Sequence, residues 1–157
     1  MKTYIGIDLG GTNVRVAKVT EFGEVLSQVK GPSFGMEGPT KVMSNLKEMV
    51  REIPGWKDCS AIGVGVPGPV DKKSGSMVLS TNLKGFTGYP LADELSKEFG
   101  MPAFVDNDAN VAGLAEALVG AGKDKSVVYY VTISTGIGGA LIVDGKTVSG
   151  KHGFGGE

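Results

Sequence analysis

The chain contains one cysteine, Cys59, and one histidine, His152. A single cysteine excludes an intramolecular disulfide framework and any multi-cysteine metal site within these residues. Cys59 reads as a small, partly buried side chain. Neither sign of charge is in excess, with 16 Lys plus Arg against 17 Asp plus Glu and a net charge of −1. That balance excludes a basic nucleic-acid surface as the main feature, and equally an acidic tail. No long hydrophobic run is present. The longest, residues 127–143, is interrupted by Thr132, Ser134, Thr135 and three glycines, and falls short of the roughly 20 apolar residues of a membrane helix. Met1-Lys2-Thr3 leads straight into a strand-like run, which does not read as a secretory leader. The expectation is a soluble, cytoplasmic protein.

What the chain has in abundance is glycine, 26 of 157 residues, against a usual share of about 7%. There is no G-X-Y period, and the glycines sit among β-branched runs rather than in a Ser/Gly linker. Hydrophobic residues make up 41% and charged residues 21%, a globular composition. Glycine placed in this way marks tight turns and close backbone approach, often to a phosphate.

The pattern predicts strands at residues 4–9, 14–19 and 24–29, joined by short turns that favour an antiparallel meander. Apolar residues at Val42, Met43, Leu46, Met49, Val50 and Ile53 have a helical period and predict a helix over 40–53. A strand at 61–66, a helix at 90–99, a strand at 103–105 and a helix at 109–119 follow. The order β-β-β-α-β-α-β-α implies a mixed sheet with helices packed on it. After residue 122 the pattern restarts. A strand over 127–134, a glycine turn at 135–139, a strand at 140–143 and a third near Thr147 repeat the opening order. This weak internal repeat divides the chain into a first α/β domain, residues 1–122, and the start of a second, residues 123–157.

Two common phosphate motifs are tested and set aside. A Walker A loop requires a glycine where this chain has Ala140 before Gly145-Lys146-Thr147. Gly63-x-Gly65-x-x-Gly68 fits the dinucleotide pattern in letters, but Pro67 and Pro69 oppose the helix that must open there. Asp8-Leu9-Gly10-Gly11-Thr12-Asn13 is more informative. Glycine amides can approach phosphate oxygens, Thr12 adds a hydroxyl, and Asp8 suits Mg²⁺ directly or through water. Ser134-Thr135-Gly136-Ile137-Gly138-Gly139 offers a second such turn in the repeat, and two turns facing across a cleft would grip a polyphosphate. Asp106-Asn107-Asp108-Ala109-Asn110 lies between a strand and a helix. Capping accounts for one Asp or Asn there, which leaves a carboxylate for general-base work on a hydroxyl and amides for sugar hydroxyls. Asn82 lies in a polar loop with the same potential. His152 reads as a turn residue.

Together these segments, with Gly63 to Asp71 and the stretch ending Gly155-Gly156-Glu157, resemble the ROK family of sugar kinases, of the bacterial glucokinase type, across essentially the whole chain. The resemblance implies an actin-like ATPase (ribonuclease H-like) α/β domain with a mixed five-stranded sheet, followed by the opening strands of a second copy. It implies ATP-dependent phosphorylation of a hexose 6-hydroxyl, most readily that of glucose. Asp108 matches the catalytic base. Asp8, Gly10, Gly11 and Thr12 match the first phosphate motif, and Thr135 and Gly136 the second. Gly68, Asn82, Asn107 and Glu157 match sugar contacts. ATP and Mg²⁺ are the implied cofactors, with the ion at Asp8. The family's zinc site lies beyond this chain, which corresponds to about half of such an enzyme and is expected to be weak or inactive alone. Implied partners are a hexose, ATP and a complementing C-terminal half or second copy, with no nucleic acid or membrane. The alternatives are the sugar-binding domain of a ROK-type regulator, or another actin-like ATPase domain.

Overall fold

The computed structural model describes residues 1–133, 136–151 and 153–155. Strands β1 (Thr3–Leu9), β2 (Asn13–Thr20) and β3 (Val25–Pro32) form the antiparallel meander. Strands β4 (Ile62–Val66) and β7 (Ala103–Asn107) join it in parallel, completing a five-stranded sheet of order β3-β2-β1-β4-β7. The fold is thus the mixed α/β sheet expected. Helices α1 (Pro39–Glu52) and α2 (Leu91–Phe99) cover one face. On α1, Val42, Met43, Leu46, Met49 and Val50 are buried, at the i, i+3, i+4 spacing that makes one apolar stripe. Pro39 opens α1, where its missing N–H costs nothing. Gly100, left-handed at φ 67, closes α2. Ile5, Ile7, Leu9, Val14, Val16, Ile62 and Val64 point from the sheet into the same core. The other face of this sheet is open, with Phe104 exposed on it.

Three expectations are adjusted. Strand β7 runs two residues further than predicted, so α3 (Asp108–Leu118) begins with no loop between them. Gly138 and Gly139 do not belong to a turn. They lie within β9 (Ile137–Val143), paired with Thr132 and Val131 of β8 (Val127–Ile133). A small hairpin of β5 (Val70–Asp71) and β6 (Ser76–Met77) was not foreseen, because two-residue strands leave no periodic signature. The last strand, β10, is Lys146–Thr147. Strands β8, β9 and β10 form a second antiparallel sheet that repeats the opening meander. No described helix is long and apolar enough to cross a membrane.

Helix α3 lies between the two sheets. Its Ala117 joins Ala140, Ile142, Leu114, Val128 and Tyr130 in a second, smaller core. Gly113 brings the α3 backbone onto the second sheet. A Cβ there would lie 2.8 Å from Ile142 Cδ1 and 3.0 Å from the Cβ atoms of Ala140 and Tyr130. The Ile142 methyl can move, but atoms so near the strand backbones cannot. Alanine would gain about 1 kcal/mol of helix propensity, whereas overpacking costs about 1–3 kcal/mol. Gly113→Ala is therefore expected to lower stability, read as a lower urea midpoint with unchanged slope. A higher midpoint would contradict the packing.

Candidate active site

One rung of the five-stranded sheet organises the site. Asp8 pairs with Arg15 on β2 and with Gly65 on β4, and Gly65 pairs with Asp106 on β7. Cross-strand partners share a face, so Arg15, Asp8 and Asp106 emerge together on the open side. They line a cleft with a cavity volume of about 1590 Å³, which Asp108, Ala109 and Val111 of α3 and Tyr130 and Thr132 of β8 bound from above. The parallel strands end here, where α/β sheets place their ligands.

Asp108 enters this cleft because α3 starts directly on the end of β7. Asn107 is the helix N-cap, its Oδ1 accepting from the N–H groups of Ala109 (2.9 Å) and Asn110 (3.1 Å). Its Nδ2 donates to the carbonyl of Gly68 at 3.2 Å. Gly68 has φ +123, and a Cβ there would lie 2.9 Å from Leu79 O, so this carbonyl is presented by a backbone that favours glycine. Asp108 is left over from capping. One of its oxygens accepts from Ala109 N–H at 2.8 Å. Its Cα lies 3.5 Å from where a Gly65 Cβ would stand, which brings it beside Asp8 on the neighbouring strand. The side chain keeps solvent access, while the protein crowded around its carboxyl pushes the pKa above the usual carboxylate range. The Ala109 N–H opposes that shift and the Asp8 charge adds to it.

At the end of β1, Gly10 N–H donates to Asn13 O at 2.9 Å, so this amide is used by the turn itself. The Gly11 and Thr12 amides make no hydrogen bond among the described residues and are open to an anion. Gly11 has a second role. A Cβ there would lie 2.9 Å from Asn82 O and 3.1 Å from Asn82 Cβ. The bare backbone thus lets the Asn82 loop close on the turn. Gly136 is exposed where β8 and β9 meet, and Gly138 stands beside Ala109 (a Cβ on it would be 3.7 Å from Ala109 Cβ). The start of β9 therefore lies next to the start of α3. Thr135, His152 and Glu157, also singled out in the sequence, lie outside the described residues.

Asp8 is exposed, has no ion-pair partner among the described residues and shares its cleft with Asp108. No cluster of three or more His, Cys, Asp or Glu occurs among the described residues. One exposed carboxylate with a second across the cleft is a donor set of the kind Mg²⁺ uses, with waters and substrate phosphates completing its shell. Arg15 and Lys72 also line the cleft and were not singled out from the sequence. Period-two alternation places Arg15 on one face of β2, but only the register shows that this face is the one Asp8 occupies.

The ROK family pattern matches residues 4–157. The chain belongs to the ROK family. It is 35% identical over 153 residues to a glucokinase of Thermotoga maritima, covering 98% of this chain and 48% of that protein. It is 32% identical to a xylose repressor of Caldicellulosiruptor bescii, covering 99% of this chain and 40% of the relative. Among solved structures, a ROK family glucokinase from Streptomyces griseus in complex with glucose and AMPPNP superimposes with a TM-score of 0.87 at 31% identity, over 99% of this chain and 49% of that one. The chain thus spans about half the length of these glucokinases. Its sheet and its neighbours identify the actin-like ATPase fold.

Removing the Asp8 charge favours the ionised form of Asp108. Asp8→Asn is expected to lower the Asp108 titration midpoint, followed by carboxyl ¹³C NMR. The linkage has a definite sign. Because folding raises this pKa, Asp108 adds stability that is complete below its unfolded value and disappears as pH rises through the folded one. An Asp108 midpoint unchanged by Asp8→Asn would refute the proximity of the two groups.

Proposed function

We propose that this chain supplies the sugar-binding part and two phosphate turns of an ATP-dependent hexose kinase acting on a 6-hydroxyl, with glucose as the favoured substrate. The observation that carries the reading is Asp108. It is a carboxylate spared from capping, raised in pKa, facing the cleft beside Asp8 and the turn with open Gly11 and Thr12 amides. A base poised above the ordinary carboxylate range accepts a hydroxyl proton more readily near neutral pH. Gly68, Asn82 and Glu157 are assigned as sugar contacts, and Asn107, whose buried amide caps α3 and holds Gly68 O, shapes the sugar side of the site. Gly11, Thr12, Thr135 and Gly136 take the phosphates, with Gly10 shaping the first turn. Asp8 would hold Mg²⁺, which would supply charge neutralisation for the transferring phosphoryl group. Phosphoryl transfer depends chiefly on such positioning and electrostatics. The xylose repressor relatives offer a second reading, as a sugar-sensing domain. A sensor needs the sugar contacts but has no use for a poised base.

A chimera separates the two. This chain replaces the matching region of the Thermotoga maritima glucokinase, and glucose phosphorylation is measured in a coupled assay. The chain alone is expected to show weak or no turnover, and the chimera to show robust turnover. Asp108→Asn is expected to lower the chimera's kcat by about 10²- to 10⁴-fold, with glucose affinity by calorimetry largely kept. It should also make the chain more stable at neutral pH, since a crowded charge is removed. A chimera that binds glucose without phosphorylating it supports the sensor instead.

A further inference from the structure

Lys72 lies outside every motif considered so far, yet it ends at the edge of the site. It projects from the turn of the β5–β6 hairpin, and that turn is firmly built. Asp71 Oδ1 accepts from Lys73 N–H at 3.0 Å, Asp71 Oδ2 accepts from Ser74 Oγ at 2.9 Å, and Gly75 N–H donates to Asp71 O at 2.9 Å. Gly75, at φ +61, sits directly on Ala92 at the start of α2. From this base the Lys72 ammonium reaches two groups on different elements. It is 2.9 Å from Asp106 Oδ2 on β7 and donates to Thr147 Oγ1 on β10 at 2.6 Å.

The other oxygen of Asp106 is committed inward. Asp106 Oδ1 accepts from Asn107 N–H at 2.8 Å and from Asn110 Nδ2 at 3.0 Å. Asn110 is buried in the first turn of α3, and Asp108 lies between Asn107 and Asn110. On the far side, Thr147 pairs with Ile142, and Ile142 packs on α3 at Gly113. A closed ring results, running from Lys72 through Asp106 and α3 to the second sheet and back through Thr147.

We infer that Lys72 is a positioning residue. Its ammonium aims the Asp106 carboxylate at the start of α3 and ties that start to the second sheet, so setting the direction of Asp108. An ion pair this exposed contributes little to stability. Small displacements of a catalytic group, in contrast, are costly, with about 1 Å worth as much as 10²-fold. Lys72 therefore acts on turnover more than on folding. The catalytic consequence rests on the proposed kinase reading, whereas the ring itself does not.

Two measurements keep these apart. In the chain itself, the Asn110 side-chain amide resonances report the bond to Asp106 by ¹H–¹⁵N NMR. Lys72→Met is expected to shift them, Lys72→Arg to restore them, and Thr147→Val to shift them partly, with the melting temperature nearly unchanged throughout. In the chimera, Lys72→Met is expected to lower kcat by about tenfold or more with little change in the glucose KM, and Lys72→Arg to recover most of it. Unmoved Asn110 resonances overturn the ring. Moved resonances with an unaltered kcat, or an arginine variant as impaired as the methionine, overturn the positioning role. A chimera without sugar phosphorylation overturns the kinase reading, and the catalytic role of Lys72 with it, while the ring stands or falls by NMR.

Discussion

Helix α3 begins at the residue after β7 ends, and the site depends on that junction. A strand that passes into a helix without a loop has no slack. The direction of the first helical side chains follows from the strand register and from one N-cap. Asn107 provides the cap and is anchored across the junction to Gly68. Asp108 then starts the helix over bare Gly65, with the Asp8 charge near enough to raise its pKa. The Gly68 carbonyl, the buried Asn110 and the Asp106 carboxylate all hold this junction in place.

The glycines serve close contact in several distinct ways. Gly11 admits Asn82 to the phosphate turn, Gly68 presents a carbonyl in a conformation that side chains disfavour, and Gly113 lowers α3 onto the second sheet. None of these requires a phosphate ligand. The first turn still fits one, because the Gly11 and Thr12 amides make no hydrogen bond among the described residues. The abundance of glycine therefore reflects close packing between elements as much as anion binding. Asp108 shows the opposite economy, since crowding its carboxyl raises its pKa toward a useful range and makes the charged form costly.

Much of this was legible in advance. The three-strand meander, α1 from its stripe of Val42 to Val50, and the start of α3 from its run of Asp and Asn all follow from local periodicity and turn chemistry. The motifs around Asp8 and Asp108 identified the family. The β5–β6 hairpin was not legible, since four strand residues carry no period. The extent of the second glycine turn was misjudged because Gly138 and Gly139, poor strand formers, are held in β9 by their partners on β8. Propensity yields to pairing there.

The sequence by itself determined most of the element types and the fold family and nominated the candidate site residues, because those depend on neighbours a few positions apart. Only the tertiary structure decided which of them meet. Arg15, Asp8, Gly65 and Asp106 are separated in the chain by up to 98 residues or so in order of numbering, yet strand register places them on one rung. Likewise nothing local to Lys72 announces its link to Asp106 and Thr147. Register and helix placement are set by how whole faces bury their apolar residues, and that balance is global.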